Sequence, residues 1–284
     1  MKIFALGPQG TNGHEAARKV SILLRDVRTV HTIEFCSTHE EVFVEVERDI
    51  RTVGVVPIEN NVEGHVSDVI EFWINHPLRR EVCVIGEIHI PIHHQLLVHP
   101  SISGVEEITS VISHPQALGQ VRKSLDKFPW ITERVPTKST SLAAQEVASG
   151  SISSRAAIAS RSAGQIHKLK NLLEDIEDVE GNETRFHILG SHRPPPHDTG
   201  YGRTAILCVV GNASGSLSRV ISSIDVNISS IKIPIPFGSK DRCGLYLEFD
   251  EHSQSVRGEK IMGEIKKSVE SMFILGSYPR ERGR

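Results

Sequence analysis

Lys2-Ile3-Phe4-Ala5-Leu6-Gly7-Pro8-Gln9-Gly10-Thr11-Asn12-Gly13 is the stretch from which the rest of the chain can be read. Lys2 to Leu6 has the length and apolar character of a short buried strand. A glycine turn follows. Behind it a helical spacing puts Ala17, Val20, Leu23 and Leu24 on one face. Strand, glycine turn and helix make an α/β opening. They also make an anion site, because unpaired N–H groups and the helix dipole favour negative charge at a helix N-terminus. The spacing G-x-x-G-x-x-G is neither the dinucleotide fingerprint nor a P-loop, which needs a Lys after its last Gly. A carboxylate therefore suits the turn better than a nucleotide. A tight turn without any ligand accounts for the same residues.

Outward from this unit the pattern repeats. Ser37-Thr38-His39-Glu40 reads as a capping box, and the helix behind it carries Val42, Val46 and Ile50. A buried strand, Val53 to Val56, then runs into the polar cluster Pro57-Ile58-Glu59-Asn60-Asn61-Val62-Glu63-Gly64-His65. Open α/β sheets bind ligands beyond the carboxyl ends of their strands. Glu59 and Asn60 either face such a cleft or cap the next helix, which carries Val66, Val69, Ile70 and Trp73. Val82 to Ile92 and Gln95 to Val98 are further strand patterns. His93 and His94 lie between them, and neighbours on a strand point to opposite faces, so no metal is expected there. Ser113 reads as an N-cap with Pro115 in the first turn, and Ala117, Leu118, Val121, Leu125 and Phe128 point inward. Ser139-Thr140-Ser141 opens another helix ending at Gly150, and Ala156 to Ala159 is a strand. Alternating strands and helices of this kind predict an α/β region with a mainly parallel sheet. The modest element lengths suit two lobes around a cleft, over residues 1–190.

Residues 191–202, with Pro194-Pro195-Pro196, read as a linker. Residues 203–284 carry a different pattern: strands at Arg203–Val210, Asn227–Ile233, Gly244–Phe249 and Phe273–Leu275, and helices at Gly215–Ser223 and Ser255–Met272. That order is the ferredoxin-like βαββαβ split. So small a unit has little core and exposed sheet edges, which predicts pairing with a second copy.

The bulk figures exclude several classes. At 284 residues the chain is long enough for about two domains. Its 38% hydrophobic and 24% charged content is that of a globular protein. Well-mixed charges summing to −3 disfavour nucleic acid or an anionic membrane as partner. No apolar run approaches the ~18 residues of a membrane span, and none near the N-terminus resembles a signal peptide, so the expected location is cytoplasmic. Cys36, Cys83, Cys208 and Cys243 are too scattered for a zinc site or a disulfide framework.

Asn182-Glu183-Thr184-Arg185-Phe186 sits between an acidic stretch and a strand pattern, Phe186 to Leu189. There a hydroxyl that can donate a proton stands beside a cation that can hold an anion. A turn residue next to a surface charge fits the pentapeptide equally. With Gly7-Pro8-Gln9-Gly10-Thr11, Val55-Val56-Pro57-Ile58-Glu59-Asn60, Pro91-Ile92-His93-His94, Ser113-His114-Pro115-Gln116-Ala117-Leu118-Gly119-Gln120, Ser139-Thr140, Ala156 to Ser160 and Leu275-Gly276-Ser277-Tyr278-Pro279, in this order, the chain closely resembles prephenate dehydratases with a C-terminal ACT domain. The resemblance implies a catalytic region of two lobes, similar to a periplasmic-binding-protein fold, and a homodimer or homotetramer. It implies decarboxylative dehydration of prephenate to phenylpyruvate without a cofactor, with arogenate dehydratase or a two-lobed binding protein as alternatives. It implies Thr184, Glu59, Asn60, Ser113 and Gln120 as catalytic residues, and Thr11, Gly10, Arg185, Phe186 and His114 as substrate-binding ones. L-Phenylalanine is the implied effector, with Gly215, Ser216 and Leu217 at its site. Three segments depart from the family pattern. Asn12-Gly13 replaces Phe-Ser, Asn61 replaces Ser, and Lys232-Ile233-Pro234-Ile235 replaces the Glu-Ser-Arg-Pro associated with phenylalanine.

Overall fold

The structure, a computed structural model, describes residues 1–24, 30–75, 81–150, 154–191, 202–211, 213–237 and 239–280, with backbone alone at 234–237, 239 and 240. The triple proline of the expected linker lies outside them. The first lobe opens with β1 (Lys2–Leu6), α1 (Asn12–Leu23), β2 (Thr32–Cys36), α2 (His39–Arg48) and β3 (Thr52–Asn60). It continues through β4 (Gly64–His65), α3 (Ser67–Asn75) and β5 (Cys83–Pro91). The chain then crosses to a second lobe. This holds β6 (Gln95–Val98), β7 (Ser110–Ser113), α4 (Pro115–Gln120), α5 (Arg122–Leu125), β8 (Glu133–Pro136), α6 (Thr140–Ala148), β9 (Arg155–Ala159), α7 (Arg161–Ile166) and β10 (Lys170–Leu173). The return strand is β11 (Glu183–Gly190). The C-terminal unit is β12 (Gly202–Gly211), α8 (Ser216–Ser222), β13 (Ile228–Phe237), β14 (Ser239–Phe249), α9 (Val256–Lys266) and β15 (Ser271–Pro279).

Two sheets organise these elements. The larger runs β13-β14-β12-β15-β5-β11-β3-β1-β2, with β4 paired to β3. The second lobe has its own sheet, β10-β6-β9-β7-β8. β1 pairs in parallel with β2 and β3, as expected, but β11 inserts antiparallel between β3 and β5. A chain that leaves one lobe and returns once must bring a strand back, so the sheet is mixed. No helix among the described residues is long and apolar enough to cross a membrane.

Local signals hold with small shifts. Thr11 caps α1, its hydroxyl accepting from His14 N at 3.2 Å. α1 buries Ala16, Ala17 and Val20, whereas Leu23 and Leu24 at its end are exposed. Periodicity assigns a face; packing decides how far along the helix that face is covered. The capping box on α2 sits one residue later than expected. Thr38 accepts from Glu41 N at 3.1 Å, while the Glu41 carboxylate accepts from Ser37 N at 2.7 Å. Ile50 lies beyond the helix and is exposed. α9 ends at Lys266, and Met272 belongs to β15.

The C-terminal unit has the βαββαβ order, yet its strands extend the sheet of the first lobe. β15 runs parallel to β5 with Gly276 opposite Val84. A side chain at Gly276 would run into the Val84 carbonyl oxygen, so glycine permits this close approach. Phe43, Trp73, Val84 and Leu189 share one core with Tyr246, Leu275 and Tyr278.

Candidate active site

β3 and β11 build the centre of the site, and both are longer than the sequence suggests. β3 continues past Val56 to Asn60, so Glu59 and Asn60 are strand residues rather than loop residues beyond its end. Pro57 is tolerated because the pairing with β11 shifts register beside it, between Arg185 and Phe186. β11 begins at Glu183, which puts Thr184 inside a strand. The register pairs Thr184 with Asn60 and Arg185 with Glu59. Side chains alternate across a strand, so each dipeptide sends one residue to each face. Asn60 and Thr184 line a cavity of about 740 Å³ between the lobes; Glu59 and Arg185 do not.

The first lobe also contributes Thr11, Asn12, Gly13, His39, Val55, Ile92 and Phe186 to this cavity, and the hinge contributes His94. The second lobe contributes His114 and Gln120 at the two ends of α4, and Lys138, Ser139 and Thr140 at the start of α6.

A buried amide network holds the catalytic face. The Asn60 side-chain oxygen accepts from Val62 N at 3.0 Å and Glu63 N at 2.9 Å, which fixes the amide orientation. Its nitrogen then donates to Thr184 Oγ1 at 3.0 Å and Asn182 Oδ1 at 2.8 Å. Asn182 Nδ2 lies 3.4 Å from Gln120 Oε1. Gln120 Nε2 donates to Glu63 Oε1 at 2.9 Å, leaving Gln120 Oε1 as acceptor for His94 Nε2 at 2.7 Å. His94 therefore carries its proton on Nε2. Burial lowers its pKa, the Gln120 bond opposes this only in part, and the imidazole is neutral near pH 7.

Of the residues expected at the site, Thr184, Asn60, Gln120, Thr11, Phe186 and His114 line the cavity. Ser113 does not. It is the last residue of β7, fully buried, and its hydroxyl donates to Ile158 O at 2.6 Å. His114 takes the N-cap place expected of Ser113, accepting from Gln116 N at 3.3 Å. Gly10 also stays off the cavity wall; its φ of 90° shapes the turn, and its N–H donates to His14 Nδ1 at 3.1 Å. His94, at which the sequence predicts only that no metal binds, is a wall residue. β5 ends at Pro91, so the rule that strand neighbours face opposite ways does not govern the His93-His94 pair. His93 pairs instead with Glu177 at 2.8 Å and Asp175 at 3.5 Å, where the two crossings between lobes run side by side.

A model of the prephenate dehydratase family matches residues 3–194. The chain belongs to the prephenate dehydratase family. It is 32% identical over 286 residues to a bifunctional chorismate mutase/prephenate dehydratase of Stutzerimonas stutzeri, covering 99% of this chain and 73% of that protein. It is 29% identical over 279 residues to a prephenate dehydratase of Methanocaldococcus jannaschii, covering 96% of each. In fold it matches the prephenate dehydratase of Arthrobacter aurescens in complex with L-Phe, with TM-score 0.85, 24% identity, and coverage of 99% of this chain and 90% of that one. The protein is a hydro-lyase that converts prephenate to phenylpyruvate, water and carbon dioxide.

Against this prephenate dehydratase cavity, the far face of β11 is a buried ionic cluster shared with the C-terminal unit. Arg185 meets Glu248 at 2.6 Å, Glu59 at 3.0 Å and Glu87 at 3.3 Å. His187 Nε2 and the Tyr246 hydroxyl also reach Glu248, at 2.8 and 2.5 Å. Burial alone would lower the Arg185 pKa, but Glu248 and its neighbours raise it above the usual guanidinium value. Burial alone would raise the Glu248 pKa, but Arg185 and His187 hold it well below the carboxylate range. Arg185 is thus neutralised by three carboxylates and joins the two units. Glu59 is tied to it and is not aimed at the cavity. In the C-terminal unit Gly215, with φ of 79°, caps α8 and Ser216 is buried, while Lys232 and Ile233 lie on β13.

Proposed function

We propose that Thr184 donates the hydrogen bond that lets the ring hydroxyl of prephenate leave. The observation that carries this is the Asn60–Thr184 bond. Because Asn60 Nδ2 donates to Thr184 Oγ1, the threonine proton is left to point at the cavity. A threonine hydroxyl is a weak acid, so its contribution is orientation and stabilisation of developing hydroxide. Loss of carbon dioxide and water makes the ring aromatic, which supplies the driving force. The protein has to hold a dianion, assist the leaving oxygen and shield the departing carboxylate.

The lining suits these tasks. Val55, Ile92 and Phe186 offer an apolar wall for the ring. Desolvation there favours loss of the ring carboxylate, since its negative charge disperses into the ring as carbon dioxide forms. His94 and Gln120 provide a fixed polar edge across the hinge. The helix N-termini at Thr11 and Ser139 favour the carboxylate that is retained. Purified protein incubated with prephenate and, in parallel, with arogenate tests the reading. Phenylpyruvate formed from prephenate supports it; phenylalanine formed from arogenate alone moves the substrate to the amino acid.

The C-terminal unit, of ACT type, is proposed as the regulatory part, covering residues 203–284. The Arthrobacter relative's complex with L-Phe supports phenylalanine as effector; Gly215 to Leu217 are proposed as its contact on the sequence resemblance alone. β13 ends the large sheet, and pairing of that edge with a second copy gives a dimer. Light scattering and phenylalanine titration of the activity test both points.

A further inference from the structure

Prephenate carries two negative charges, and the described residues lining the cavity include no Asp, Glu or Arg and a single lysine, Lys138. Lys138 precedes Ser139, the N-cap of α6, and has no ion pair or hydrogen-bond partner among the described residues. His39, at the start of α2, lines the same cavity. Its Nδ1 lies 2.6 Å from Asp68 Oδ2, so Nδ1 carries a proton. Its Nε2 is buried without a partner. A buried ring nitrogen left unsatisfied beside a cavity marks a place for a ligand atom.

The two residues flank one turn from opposite lobes. Gly7 N donates to Cys36 O at 3.0 Å, which sets the segment leading to His39 against the glycine turn. Ser141 donates to Gln9 O at 2.5 Å, which sets the first turn of α6 against its other side. Thr11, Asn12 and Gly13 at the start of α1 line the cavity in the same region.

We propose that Lys138 and His39, one from each lobe, bind the side-chain carboxylate of the substrate, and that Lys138 makes the site favour the keto acid over its amino analogue. This rests on the reading of the cavity as the prephenate site. The chemistry says which carboxylate they take. A cation on the ring carboxylate would stabilise the ground state more than the transition state, because that charge disperses as carbon dioxide leaves. The side-chain carboxylate keeps its charge throughout, so a cation there binds without slowing the reaction. His39 presents Nε2 to the carboxylate while Asp68 holds Nδ1. In arogenate an ammonium stands next to the same carboxylate, and Lys138 repels it.

The test uses Lys138→Gln, Lys138→Arg and His39→Gln. Steady-state kinetics on prephenate and arogenate are read beside calorimetric binding of phenylpyruvate, which bears the same keto-acid side chain. Lys138→Gln and His39→Gln raise KM for prephenate about tenfold with kcat within about twofold, as a lost charged hydrogen bond predicts. Lys138→Gln also lowers the preference for prephenate over arogenate about tenfold, and Lys138→Arg restores it. Phenylpyruvate affinity falls in parallel. Unchanged KM and unchanged phenylpyruvate affinity in either Gln variant overturn the shared site. An unchanged substrate preference in Lys138→Gln overturns the selectivity. If the wild type turned over neither substrate, the functional reading would fall, while the phenylpyruvate measurement would still decide whether Lys138 and His39 hold a carboxylate.

Discussion

Asn60 donates to the Thr184 hydroxyl at 3.0 Å across the paired strands β3 and β11. The bond fixes a threonine rotor that would otherwise turn freely, and it uses a lone pair rather than the proton. Thr184→Ala is expected to lower kcat about 10²–10⁴-fold, the usual range for a positioned proton donor, with little change in KM. Thr184→Ser keeps the hydroxyl and retains most of the activity. A progress assay of phenylpyruvate formation distinguishes the two.

Asn60→Leu removes the donor and strands the Val62 and Glu63 N–H groups that Asn60 satisfies. Its cost is about 1–3 kcal/mol of stability, measured by urea unfolding, beside a loss of kcat larger than any rise in KM.

Glu59→Gln is expected to leave kcat within a few-fold of wild type. The Glu59 carboxylate is turned toward Arg185 and away from the cavity. A loss of several hundredfold in turnover would show instead that Glu59 reaches substrate.

Glu248→Ala leaves Arg185 buried beside only two of its three carboxylate partners. Breaking a buried pair in this way typically costs about 3–5 kcal/mol, so the thermal midpoint falls well below that of wild type. Gly276→Val is expected to destabilise by a different route, pushing β15 away from β5. Limited proteolysis then releases the C-terminal unit earlier than in wild type.

Among the groups through which acidification acts, His14 and His65 included, His94 and Glu248 lose their contributions in sequence. The folded His94 pKa lies below that of an unfolded histidine, about 6.5, so below that pH the unfolded state binds more protons. Stability therefore begins to fall as the pH drops through about 6.5, and His94→Gln removes the share of the loss that belongs to His94. The folded Glu248 pKa is depressed, so its contribution is present above the unfolded carboxyl value of about 4.3 and is lost as the pH falls further. Urea midpoints at pH 7, 5.5 and 4, with and without His94→Gln, separate the two.

The sequence by itself determined the local structure around the glycine turn: a strand at Lys2–Leu6, the turn itself and a helix behind it. It also determined the two lobes, the βαββαβ order of the C-terminal unit, and the motifs that place the chain in its family. These depend on neighbours within a few residues, or on patterns that repeat along the chain. Only the tertiary structure decided which member of each motif faces the substrate. Glu59-Asn60 and Thr184-Arg185 read as four site residues, but β3 and β11 extend through them, and strand alternation turns Asn60 and Thr184 inward and Glu59 and Arg185 outward. Ser113 gave its expected capping place to His114 because β7 runs through Ser113. His39 and His94 stood in stretches that were read for other reasons, a capping box and a segment of the family pattern, and Lys138 stood in none. They come to one cavity because residues far apart in the chain, on elements of two lobes and the hinge between them, close around a shared space, and sequence spacing carries no record of that distance.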